Sequence, residues 1–185
     1  MTQDYSPQAL DVRAFAQAGG ELRGADALST YERLAQELPG QDGGDAELPA
    51  VRWSAHGRTV ARAGAADEIW LDLQVQADVP QICQRCLQPV LSRVDVERAF
   101  HFVADERTAA ELDEASDDDV LVISRQFDLH GLIEDEILMD LPLVPNHDVC
   151  PQSLPWQAQS EDFDAQEEAS RPNPFAPLDV LKKKK

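Results

Sequence analysis

Ile69-Trp70-Leu71-Asp72-Leu73-Gln74-Val75-Gln76-Ala77 alternates apolar and polar side chains without a break. A period of two is the pleat of a β-strand, so Ile69, Leu71, Leu73, Val75 and Ala77 share one face and the polar residues take the other. A strand that is apolar on one face only belongs to a sheet covered on one side, which is the antiparallel habit. This run decides the fold class, and its neighbours repeat the pattern.

Upstream, Val51, Trp53 and Ala55 alternate with Arg52, Ser54 and His56, and Gly57-Arg58 reads as a turn. Downstream, Val79 to Ile82 leads into the turn Cys83-Gln84-Arg85-Cys86. Beyond Pro89, Val90, Val94, Val96, Phe100 and Phe102 form one long strand ending near Val103. Val120 to Ile123 and Phe127 to Leu129 are short apolar runs that read as strands returning to the sheet. Four strands with hairpin-length links predict an α+β domain, mainly an antiparallel sheet or a partly open barrel.

Two or three short helices accompany it. The Ala-rich stretch from Asp11 to Ala18 is helical and stops at Gly19-Gly20, and Glu21 to Leu28 is extended. Tyr31, Leu34, Ala35 and Leu38 recur at helical spacing, with Ser29-Thr30 as the N-cap and Pro39-Gly40 as the stop. Leu129, Leu132, Ile133, Ile137 and Leu141 fall on one face of the strongest helix, which Pro142 ends.

Composition marks the edges of the domain, placed at residues 8–150. Asp105 to Asp119 carries eight acidic residues and one arginine, too polar to bury, and reads as a solvated or disordered loop. Residues 151–185 hold five prolines and six acidic residues and read as a disordered tail. Within that tail, Phe175 and Leu178 are apolar anchors of the kind that dock on a partner or on the chain's own domain.

Sixteen basic against 35 acidic side chains give a formal net charge of −19. Such a surface repels phosphate backbones and favours a basic protein as partner over extended contact with nucleic acid. No stretch of 18 apolar residues exists to span a membrane, and Met1 to Leu10 lacks the pattern of a signal peptide. Three cysteines do not make an even disulfide framework, so a cytoplasmic protein is expected.

All three cysteines and one of the four histidines sit in two short segments, Cys83-Gln84-Arg85-Cys86 and His147-Asp148-Val149-Cys150. Two pairs of soft or borderline ligands, each pair three positions apart, are what a tetrahedral zinc site needs. The competing reading is a set of buried thiols with a histidine near a turn, or redox use of Cys83 and Cys86. Arg85 is the candidate for a phosphate or carboxylate on a partner or RNA, with an internal ion pair favoured among so many acids. Glu134, Asp135, Glu136 and Asp140 read as a solvated helix face, and His56, His101 and His130 stand alone. No phosphate loop or catalytic triad order is present, so no enzymatic activity is expected.

Three motifs in register, Cys83-Gln84-Arg85-Cys86-Leu87-Gln88-Pro89, the stretch from Ile133 to His147, and Arg171-Pro172-Asn173-Pro174-Phe175-Ala176, resemble the bacterial YceD family. Its members are described as large ribosomal RNA subunit accumulation proteins. The resemblance implies a part in synthesis, processing or stability of large-subunit (23S) ribosomal RNA, and no catalytic activity. With the charge, it points to a ribosomal protein or large-subunit assembly factor as partner and to rRNA contact that is indirect or weak. Two other readings stay open. One is a direct RNA-binding module using Arg85, Arg93, Arg98 and Lys182 to Lys185; the other is a zinc- or thiol-dependent protein built on Cys83 and Cys86.

Overall fold

The structure, a computed structural model, describes residues 5–39, 49–64, 66–116 and 118–151. The chain divides into Met1–Cys150 and Pro151–Lys185, and every element described belongs to the first unit. The expected tail beyond residue 151, with Phe175 and Leu178, lies outside the described residues.

Five strands form one sheet in chain order: β1 (Glu21–Ala27), β2 (Ala50–Val60), β3 (Glu68–Ile82), β4 (Pro89–Val103) and β5 (Asp119–Val122). The first four are antiparallel neighbours, with Ile69 opposite Phe102, Val75 opposite Val96 and Ile82 opposite Pro89 across the long β3–β4 hairpin. β5 runs parallel to β4. β1 and β5 are edges, so of the two expected architectures the sheet is the open one.

The alternation of β3 is realised in burial, residue by residue, from Ile69 to Val79. Its apolar face is covered by α1 (Val12–Gln17) and α4 (Leu129–Asp140), and α2 (Glu32–Glu37) packs on α4. Phe15, Leu34, Leu71, Leu73, Ile133 and Ile137 are fully enclosed between the layers. Burial of each such side chain is worth about 1.5–3 kcal/mol, which makes this interface the main source of stability. The opposite face is polar. There Trp70 stacks on His101 at 4.6 Å, and the Arg58 guanidinium lies over Trp70 at 4.9 Å. No helix among the described residues is long and apolar enough to cross a membrane.

Five expectations need correction. Gly57-Arg58 is not a turn: β2 runs straight through it, and Gly57 is there because α1 crosses at contact distance. A Cβ at Gly57 would lie 2.6 Å from Phe15 Cδ1 and 2.8 Å from the Ala16 backbone. Ser29-Thr30 does not cap α2 either. Leu28–Thr30 forms a 3-10 turn, and Tyr31 holds the cap position with no side-chain cap bond. The acidic segment after Asp105 is solvated but contains a helix, α3 (Glu106–Asp113), with no buried residue. Asp105 caps it by accepting the Thr108 N–H at 3.0 Å, and a parallel β4–β5 link requires a crossover there. Phe127 makes a single bridge to Leu10, after which Asp128 caps α4 instead of extending a strand. Last, Glu134 and Glu136 are buried, not solvated.

Both buried acids have specific partners. Glu134 Oε1 accepts the backbone N–H groups of Arg33 at 2.7 Å and Leu34 at 3.0 Å, while its Oε2 accepts Arg33 Nε at 2.9 Å. Burial alone would raise this carboxyl, but those donors outweigh it and hold it below the usual range. Glu136 Oε2 lies 2.8 Å from Arg98 Nε without an aligned N–H, so it has a charge partner and no hydrogen bond. Burial pushes Glu136 up, against the pull of Arg98.

Candidate functional site

The tip of the β3–β4 hairpin is the six-residue connection Cys83 to Gln88. Its ends are tied by Cys83 N–H donating to the Gln88 carbonyl at 3.0 Å, and Leu87 N–H donates to the Cys83 carbonyl at 2.9 Å. Leu87 takes a positive φ of 58°, the left-handed conformation that lets the chain fold back on itself after Cys86. Both cysteine side chains are thereby turned inward and buried.

Opposite the tip lies the segment after α4. Pro142 ends that helix, and the chain continues to Cys150 without regular structure. It is held against the hairpin by Gln84 N–H donating to the Pro145 carbonyl at 2.9 Å. This single backbone contact brings His147 and Cys150 onto Cys83 and Cys86.

Ligand atoms of Cys83, Cys86, His147 and Cys150 all lie within 4.8 Å of one another. Cys83 Sγ is 4.0 Å from Cys150 Sγ, and Cys86 Sγ is 3.4 Å from His147 Nδ1. The other ring nitrogen, Nε2, sits 3.0 Å from the Pro89 carbonyl. A carbonyl can only accept, so Nε2 carries the proton and Nδ1 offers its lone pair to the thiols. Burial raises the Cys83 thiol, but backbone N–H groups of His147, Cys86 and Arg85 more than offset this and bring it down to about 5. Cys86 goes the other way, raised by burial and by its sulfur neighbours. Cys83 ionises more readily than Cys86, and a soft or borderline cation fits the set.

Arg85 points across the gap. Its Nε donates to Cys150 Sγ at 3.0 Å, and Nη2 donates to the His147 carbonyl at 2.6 Å. The structure therefore turns this guanidinium towards the opposite segment. Arg98, on β4, pairs with Asp119 at 3.3 Å and with Glu136. The carbonyls of Gln88, Pro89 and Pro145 and the turn at Leu87 were not legible as site parts, because backbone groups carry no residue signature. Beside the site runs a shallow groove of about 920 Å³ lined by Leu91, Arg93, Val144, His147 and Val149. Leu91, Val144 and Val149 are exposed apolar side chains.

An open five-stranded sheet with helices on one face, and a Cys/His quartet closing its hairpin tip, defines a small α+β protein with a paired-knuckle site. The chain belongs to the family described as "Large ribosomal RNA subunit accumulation protein YceD", which matches residues 71–182 and so includes most of β3, all of β4 and β5, α4 and all four quartet residues. A relative of that same description from Haemophilus influenzae is 36% identical over 111 residues, 60% of this chain and 64% of the relative. The alignment thus spans somewhat under two thirds of that curated protein's length. No solved structure matches.

Proposed function

We propose that this protein is a non-enzymatic factor supporting accumulation of large-subunit ribosomal RNA, and that it acts by binding a basic ribosomal protein or assembly factor. The family match over residues 71–182 carries the reading. The net charge of −19 selects the kind of partner: an acidic surface attracts a basic protein and repels RNA. The groove beside His147, with Leu91, Val144 and Val149 exposed along it, offers apolar contact area within that acidic setting.

The test is recovery of the tagged full chain from cells at low salt, with and without nuclease, identifying both protein and RNA. Nuclease-resistant recovery of a basic ribosomal protein or assembly factor is expected. Loss of every partner along with the RNA would replace this reading by direct RNA binding through Arg93 and its neighbours. Recovery of nothing ribosomal would overturn both. Deletion of the chain should also lower large-subunit rRNA relative to small-subunit rRNA, measured on total RNA.

A further inference from the structure

We propose that Cys83, Cys86, His147 and Cys150 bind one zinc ion in a closed structural site that fastens the segment after α4 to the tip of the β3–β4 hairpin. This inference stands apart from the choice of partner and rests on the geometry of four side chains.

Distances come first. Zinc bonds of about 2.3 Å to sulfur and 2.0–2.1 Å to nitrogen in a tetrahedron place neighbouring sulfurs about 3.8 Å apart, and sulfur and nitrogen about 3.5 Å apart. The observed edges are 4.0 Å between Cys83 Sγ and Cys150 Sγ and 3.4 Å between Cys86 Sγ and His147 Nδ1. All four ligand atoms lie within 4.8 Å of one another, so the longest separation has to close by about 1 Å on binding.

The surroundings supply positive charge. Arg85 Nε donates to Cys150 Sγ at 3.0 Å, so a guanidinium stands against the sulfurs. Three thiolates and one zinc leave a net charge of −1, and the Arg85 guanidinium is the cation beside it. The imidazole is oriented as metal ligands usually are, its second nitrogen fixed by a backbone carbonyl, here that of Pro89.

Four protein ligands leave no open coordination position, so the ion is structural. Its effect follows from where the ligands lie. Neither helix nor strand holds residues 142–150; the Gln84–Pro145 backbone bond and the side-chain bonds of Arg85 and His147 tie them to the tip. Zinc would add a much stronger tie, and would set the wall of the groove that His147 and Val149 line.

The experiment uses the full chain purified under reducing conditions without a histidine tag. Metal content is measured directly, and the metal-free protein is titrated with cobalt(II) and then with zinc. One metal per chain is expected, with an intense tetrahedral cobalt spectrum and sulfur-to-metal charge-transfer bands that zinc abolishes stoichiometrically. Zinc should also protect all three thiols from alkylation until a chelator is added. Cys150→Ser and His147→Ala should each weaken binding by at least about 10-fold. His147→Cys keeps a ligand in place, so it should retain binding while shifting the cobalt bands to those of four sulfurs. Absence of tetrahedral cobalt binding by the wild-type chain would overturn the proposal. So would binding indifferent to Cys150→Ser and His147→Ala, or a Cys83–Cys150 disulfide as the resting state of freshly reduced protein returned to air with zinc present.

Discussion

Glu134, on α4, caps α2 from far along the chain: its Oε1 accepts the backbone N–H of Leu34, 100 residues earlier, at 3.0 Å. The first N–H groups of a helix have no partner within it, and Tyr31 at the cap position supplies none. A carboxylate from another element does so instead, with the positive end of the helix and Arg33 both favouring its charge. Glu134→Ala should therefore lower stability by about 1–3 kcal/mol, since it strands two backbone donors as well as Arg33. Chemical denaturation of the two proteins measures this, and an equal midpoint would refute the cap.

The same residue gives an acid limb to the stability curve. Its folded value lies below the unfolded one, so its contribution is complete above the usual glutamate range and disappears as pH falls through the folded value. Thermal melts of Glu134→Gln should show a shallower loss between pH 5 and pH 3 than wild type, values chosen to bracket that transition.

Glu136 carries the opposite sign. Burial raises its folded value, so its contribution is complete below the unfolded value and is lost as pH rises through the folded one. Glu136→Gln should cost less at neutral pH than Glu134→Gln. It should also flatten the decline in stability on going from acid to neutral pH, a comparison that the same melts supply.

Gly57 is a packing residue. With the Ala16 backbone nitrogen 2.9 Å and Phe15 Cδ1 2.6 Å from where a Cβ would stand, Gly57→Ala must push α1 off β2. A loss of about 1–3 kcal/mol is expected, because a close-packed interface cannot absorb a methyl group without shifting. Denaturant unfolding reads it directly, and an unchanged midpoint would mean that α1 is not seated on this strand.

Arg85 should matter locally. Arg85→Ala removes the bonds to Cys150 Sγ and to the His147 carbonyl without touching the sheet core. Amide exchange in residues 142–150 should quicken and Cys150 should alkylate faster, while exchange in β3 stays as in wild type. Uniform acceleration across both regions would contradict a role confined to the tip.

How much of this was legible beforehand depends on the range of the forces involved. The strand from Ile69 to Ala77, the helix from Leu129 and the stop at Pro142 could be read directly, because period, propensity and chain breaking act over a few residues. So could the four residues of the quartet and the kinship carried by the motifs around them, since residue type and spacing are written in the chain. Other features depend on what a residue meets across space. Gly57 looked like a turn until α1 was seen to cross it, and Glu134 and Glu136 looked like a wet surface until α2 and Arg98 were placed against them. The parallel entry of β5 and the helix α3 that precedes it likewise depend on where the chain must travel. By itself, then, the sequence determined the alternation, the helices other than α3 and the residue types of the quartet. Only the tertiary structure decided that Cys83 and Cys86 face His147 and Cys150, because their approach is fixed by the packing of α4 on the sheet and the contact of Gln84 with Pro145, and by nothing within either segment alone.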